Sequence, residues 1–274
     1  MTFDPRSILF VPGDRPERFA KALASPADAI CIDLEDAVAP EAKASARASA
    51  LDFLKTSPEA ARTVLRLNAL STAAGMVDAA ALLEAGVAPA ALMTPKAESA
   101  DVLASLHAAF AGQGGPQPLI ALVESAAGLA HAGDLARAPG VVALALGPID
   151  LAAQLGAQFD EQALSTIRLQ IRLGASRGGV MAWDGPSLAI DDLAQLSADA
   201  RSAAALGFSG KLCIHPAQAA TVNAGFTPSI EAVAAARTVL AAAQGQGGVF
   251  RLDGRMIDAP VLASARKVLA RARP

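Results

Sequence analysis

From end to end the chain alternates short apolar runs, rich in leucine and β-branched residues, with longer alanine-rich amphipathic stretches. This is the pattern of repeated βα units around a parallel sheet. Eight strand-like runs stand out: SILFVPG, AICIDLED, TVLRLN, AALMTPK, PLIALVES, VVALALGP, VMAWDG and GKLCIHP. Helical stretches between them start near Glu17, Pro40, Gly75, Ser99, Ala126, Asp150, Asp191 and Ala217. Eight such units close into a (β/α)8 TIM barrel, expected over residues 1–226. A doubly wound open sheet is the fallback, but no GxGxxG follows the first strand.

After Phe226 the alternation stops, and residues 227–274 are expected to form a C-terminal helical and hairpin extension. Pro228 opens a helix with Ser229 as its cap. A GQGG segment at 245–248 precedes a short hairpin with Asp253 and Gly254 at its tip, and a last helix carries its basic residues toward the C-terminus. An arm behind a glycine hinge is expected to contact a neighbouring subunit.

Two strands end in acids: PLIALVES stops at Glu124 and VVALALGPID stops at Asp150. Residues at the C-terminal ends of neighbouring barrel strands converge on the top face. Such a pair suits Mg²⁺, which takes one or two carboxylates and fills its shell with water and substrate oxygens. The same acids also read as helix N-terminal residues stabilised by the macrodipole, and the residues alone leave both readings open.

Composition narrows the class. Of the 274 residues 53% are hydrophobic, with a mean hydropathy of +0.38, enough to bury a sizeable core and too apolar for disorder. Runs such as VVALALG are too short to span a bilayer, so no membrane association is expected. A formal charge of −3 without a basic run argues against nucleic acid. The segment MTFDPRS lacks the features of an export signal, and Cys31 and Cys213 lie in apolar runs, as buried reduced thiols do; a cytoplasmic location is expected.

The other strand ends add chemistry. Arg15, Arg18 and Lys21 follow strand one, as a basic rim for phosphates or as a solvated helix face. Asp33, Glu35 and Asp36 crowd the end of strand two, and Arg66 inside strand three needs a carboxylate partner, for which Glu35 or Asp36 is the candidate. Alternatively, Arg66 clamps a substrate carboxylate in bidentate fashion. Strand four ends in Lys96 and strand eight in His215 and Pro216. Arg66, Lys96, Glu124 and Asp150 on one rim would bind a 2-oxo acid and stabilise an enolate by charge. His215 reads more simply as a packed, hydrogen-bonded residue, His107 and His131 as helix-surface residues, and Trp183 as core or as a wall of the top-face pocket.

The pieces RSILFVPGDRPERFAKA, DAICIDLEDAVAPEAKASAR, RLNALSTAAGMVD, LMTPKAES, ALVESAAGL, ALALGPIDLAAQLG, GFSGKLCIHPAQAATVNAGFTPS and GRMIDAP, in this order, resemble the citrate lyase beta-subunit-like branch of the HpcH/HpaI aldolase family. The resemblance implies a (β/α)8 barrel with a C-terminal extension, a trimer or hexamer, and Mg²⁺ bound by Glu124 and Asp150. It implies that Arg66 binds the oxo-acid carboxylate and that Asp258 enters a neighbouring subunit's site for proton transfer. It sets Phe10, Arg18 and Lys21 where relatives contact coenzyme A, and Ile214 and His215 at the acyl end. Glu35 and Asp36 would orient Arg66 and a metal-bound water.

Two positions depart from the family's pattern, Ile149 in place of an acid before Asp150 and His131 in place of an asparagine, and neither removes a ligand. The implied reaction is Claisen or aldol-type cleavage and formation of 3-hydroxyacyl thioesters such as citryl-, malyl- or citramalyl-coenzyme A. The alternatives are thioester hydrolysis or free 2-oxo-acid aldol chemistry on the same site, or a subunit active only with an acyl-carrier protein.

Overall fold

Eight parallel strands close on themselves in the computed structural model, which describes residues 3–112, 115 and 117–272. They are β1 (Ser7–Pro12), β2 (Ala29–Asp33), β3 (Thr63–Arg66), β4 (Ala91–Thr94), β5 (Leu119–Val123), β6 (Val141–Leu146), β7 (Met181–Asp184) and β8 (Gly210–Cys213). Each pairs with its sequence neighbours, and β1 pairs with β8 to complete the ring. Residues up to Asn223 form one compact unit and those from Ala224 a second.

Period two decides what fills the barrel. Ile8, Ala29, Cys31, Val64, Ala91, Met93, Ile120, Leu122, Ala143, Ala145, Trp183 and Leu212 form one buried cluster. Trp183 has small Ala145 on β6 as its register partner, and its indole N–H donates to Pro5 O at 2.8 Å while its ring meets Phe3 edge-on. Trp183 is therefore core and not a wall of the cavity described below. Both cysteines are buried and free, and burial pushes the Cys213 thiol up to about 12.

Helices fill the connections, and several are capped as their sequences dictate: Thr72, Ser99, Ser125, Asp160 and Asp192 each accept a backbone N–H from the first turn. The connection between β6 and β7 differs from the expected single helix near Asp150. A short helix, Pro148–Leu155, stops at left-handed Gly156, and a second of 18 residues, Glu161–Gly178, opens at Asp160. Likewise, the helix after β5 breaks at His131 into Ala126–Ala130 and Ala132–Leu135. His131 is exposed, whereas His107 is half-buried, in the way of any side chain at Gly140.

A charge network lies between the sheet and its helices. Asp184 and Lys211, register partners on β7 and β8, have parity opposite to core residues Trp183 and Leu212 and so face outward. Arg168 donates to Asp184 from Nε (2.9 Å) and Nη2 (2.7 Å) and also bonds Asp199, while Lys211 Nζ reaches Asp184 at 2.5 Å and Asp199 at 2.7 Å. Two cations and two anions cancel. The four border a polar cavity of about 230 Å³ whose lining also includes Pro148 and Pro186.

In the second unit, the helix Ile230–Ala242 begins at its cap Ser229. The hairpin β9 (Phe250–Leu252) and β10 (Arg255–Ile257) turns through Asp253 and Gly254, both with positive φ (47° and 80°), as a two-residue type I′ loop requires. The last helix, Ala259–Arg271, is capped by Asp258.

Removing one member of a buried, balanced network strands the opposite charge. Asp184→Ala is expected to lower unfolding stability by about 3–5 kcal/mol, read from the midpoint of urea denaturation.

Candidate active site

The core parity carries on to the top of the barrel, where the inward positions become polar. Asp33 and Arg66 are the last inward residues of β2 and β3 and are register partners. Glu124 follows Val123, two residues beyond inward Leu122. Gly147 N donates to Val123 O (2.9 Å), which sets Gly147 beside Glu124. These residues line a cavity of about 410 Å³ together with Phe10, Asp36, Ile149, Asp150 and Ile214. The volume is in the range of small-molecule sites.

Arg66 differs from its sequence-based expectation. Its bidentate edge meets Asp33 (Nε to Oδ1 2.7 Å, Nη2 to Oδ2 2.6 Å) and not Glu35 or Asp36. Strand register explains it: Asp33 lies directly opposite on the same inward face, whereas Glu35 and Asp36 lie past the strand. Glu35 and Asp36 meet only Nη1, at 3.1 Å and 3.7 Å. The fork is therefore committed within the protein, and a bidentate clamp on a substrate by this edge is not what the structure holds. Phe10 stacks on the guanidinium, 4.7 Å from ring centroid to Cζ. Burial works against the charge of Arg66, but its bonds to Asp33 outweigh this and its pKa is raised.

Asp33 also accepts the backbone N–H groups of Glu35 (2.8 Å) and Ala37 (3.0 Å), so both its oxygens are engaged. It was legible as an acid crowding the strand end, but its role as the partner of Arg66 was not. Parity was the signal that would have found it.

Lys96 links two acids. Its Nζ donates to Glu35 Oε1 and its backbone N to Glu124 Oε1, both at 2.8 Å. Ser125 caps the next helix and donates to Glu98 (2.6 Å), fixing the chain after Glu124. Burial raises the pKa of Glu35 despite Arg66 and Lys96. Glu124 is pushed up to about 8, first by burial, then by the charge of Glu35, with Asp150 adding to it.

Glu124 and Asp150 have no ion-pair partner among the described residues. Asp150 sits in the first turn of Pro148–Leu155, so the helix-terminus reading and the cavity reading hold together. A Cβ on Gly147 would lie 2.5 Å from Glu124 Cβ and 2.7 Å from its Oε2, so glycine there makes room for the Glu124 side chain in this position. Asp33, Glu35, Asp36, Glu124 and Asp150 against Arg66 and Lys96 leave a formal charge of −3 around the cavity. Among the described residues no cluster of three or more His, Cys, Asp or Glu is arranged for a metal. A cation here would rest on two carboxylates and draw its other ligands from elsewhere, the habit of Mg²⁺ and not of a structural zinc.

The other expected residues spread out. Ile214 lines the cavity; its N–H and that of His215 donate to buried Gln218. His215 accepts from Ala217 N (3.3 Å), as the hydrogen-bonded reading has it, but it is exposed and not packed. Arg18 and Lys21 are exposed after β1 and are not part of the cavity wall. Asp258, in the second unit, is half-buried and accepts from Val261 N at 3.1 Å. No helix among the described residues is long and apolar enough to cross a membrane.

Comparison with known proteins agrees with this architecture. A Mycobacterium tuberculosis citrate lyase subunit beta-like protein is 43% identical over 271 residues, covering 96% of this chain and 94% of the relative. Two Cereibacter sphaeroides enzymes, an L-malyl-CoA/beta-methylmalyl-CoA lyase and a (3S)-malyl-CoA thioesterase, are each 34% identical, covering 97% of this chain and 94% of theirs. The crystal structure of M. tuberculosis CitE in complex with magnesium, acetoacetate and coenzyme A superposes with a TM-score of 0.84 at 41% identity, covering 99% of both chains. The HpcH/HpaI aldolase/citrate lyase family profile matches residues 6–216, and the chain belongs to that family.

Proposed function

We propose that this chain is a Mg²⁺-dependent carbon–carbon lyase, working in either direction on 3-hydroxyacyl-coenzyme A thioesters of the citryl, malyl or citramalyl type and yielding an acyl-coenzyme A and a 2-oxo acid. The observation that carries the reading is the surplus of carboxylate at the cavity, with no ion-pair partner for Glu124 or Asp150 among the described residues. The magnesium and coenzyme A in the related M. tuberculosis structure support it, as do the lyase relatives.

Glu124 and Asp150 would hold the ion, which when bound supplies Lewis-acid polarisation of the oxo group and lowers the formal charge around the cavity from −3 to −1. Arg66 turns its Nη1 edge and its charge toward the oxo-acid carboxylate, held in place by Asp33 and Phe10 and oriented further by Glu35 and Asp36. In cleavage a base takes the proton of the 3-hydroxyl and the C2–C3 bond breaks, leaving its electron pair on the thioester fragment. That carbon then takes a proton from Asp258 of a neighbouring subunit. A cavity of about 410 Å³ suits the reacting end of the thioester, with coenzyme A entering past Phe10 in the cavity wall and its nucleotide outside, over Arg18 and Lys21. Ile214 and His215 flank the acyl end. The enzyme would work as a homo-oligomer, a trimer or hexamer, and its two free buried cysteines are in keeping with the reducing cytoplasm.

Hydrolysis is the second reading, favoured by the malyl-CoA thioesterase relative. Incubation of the purified protein with Mg²⁺ and malyl-, citramalyl- or citryl-coenzyme A separates the two. Acyl-coenzyme A plus 2-oxo acid is the expected product pair. Free hydroxy acid with free coenzyme A as sole products would replace the lyase by a thioesterase, and turnover only after adding an acyl-carrier protein would make it a subunit of a larger complex.

Glu124→Gln and Asp150→Asn are each expected to lower kcat more than about 100-fold and to abolish the Mg²⁺ binding isotherm while the far-UV spectrum stays unchanged. Asp258→Asn is expected to lower kcat by about 100-fold or more with Mg²⁺ affinity retained. If Asp258 acts across subunits, refolding a 1:1 mixture of Asp258→Asn and Glu124→Gln chains restores up to about a quarter of wild-type activity, and no recovery would keep each site within one chain.

A further inference from the structure

Lys96 and Asp253 are the non-glycine residues with positive φ among those described. Asp253 sits in a type I′ turn, where aspartate is a normal occupant. Lys96, at φ 50°, has no such excuse: a long side chain has no local bond to offset left-handed backbone. Surrounding groups hold it there. Ala97 N donates to Leu122 O (3.1 Å), and the helix after β5 packs so tightly that a Cβ on Gly128 would lie 2.5 Å from Ala97 O. The unusual conformation coincides with the two bonds already described, from the amide to Glu124 Oε1 and from the ammonium to Glu35 Oε1.

We propose that Lys96 is a positioning residue: its left-handed backbone fastens one oxygen of Glu124 so that the other faces the cavity, and its ammonium anchors Glu35 against Arg66. Gly147 has no Cβ to clash with this side chain, so the amide fixes Oε1 and the glycine admits the rotamer that leaves Oε2 as the unbonded oxygen. This deepens the metal reading above and rests on it.

Two uncharged replacements separate backbone from charge. Lys96→Asn tolerates left-handed backbone, whereas Lys96→Val is forced out of it and carries the amide away from Glu124. In Mg²⁺ titration calorimetry, Asn is expected to stay within about threefold of wild type and Val to bind at least about tenfold more weakly. Equal dissociation constants for the two variants, whether unchanged or equally weakened, would overturn the proposal. Should the valine variant fail to fold, Lys96→Gly and Lys96→Ala read the same preference in milder form, with Ala the weaker binder, and equality there is equally decisive. If the wild type binds no Mg²⁺, the metal reading falls, and crystal structures of the Asn and Val variants decide this inference alone. A Glu124 carboxylate displaced only in the valine variant supports it, and an identical rotamer in both overturns it.

Discussion

A guanidinium buried between two parallel strands fixes the chemistry of this barrel mouth. Arg66 is inward by strand parity, and its side chain is only 10% exposed. Desolvating a cation this thoroughly is tolerable only with a carboxylate in bidentate contact, and the register supplies Asp33. Once that pair exists, the remaining acids sort themselves by distance from it. Glu35 leans on the third nitrogen and on Lys96, Lys96 ties back to Glu124, and Asp150 is left at the helix terminus. One chain of contacts runs from β2 to the end of β5, and its negative excess accumulates where it ends.

The same register logic operates on the outside of the barrel with the opposite outcome. Asp184 and Lys211 are also register partners, but there two bases meet two acids and nothing is left over. A closed account of charge suits a wall, and an open one suits a binding site. The four-membered network is therefore structural, and the further acids at the outer cavity, Asp160 and Glu161, are exposed, with Asp160 spent as a helix cap.

Much of this was legible in the sequence because periodicity survives without coordinates. The eight strands, the Asp-Gly hairpin tip and the Ser229 cap follow from alternation and turn chemistry, and Glu124 and Asp150 follow from acids ending apolar runs. Interstrand register does not follow, because it depends on the stagger of the closed barrel. Sequence alone therefore offers Arg66 either Glu35 or Asp36 or a substrate carboxylate, and only the register supplies Asp33. The helix Glu161–Gly178 escaped because a short helix and left-handed Gly156 intervene, and the Asp150 start absorbed the signal of both. The left-handed backbone at Lys96 leaves no compositional trace at all.

Pro148 and Pro186 line both the inner cavity and the outer polar cavity. Two rigid pyrrolidine rings thus form a party wall between them. The inner cavity is backed at these two prolines by the pocket that holds the Arg168 network, so the two charge clusters of the barrel share a boundary.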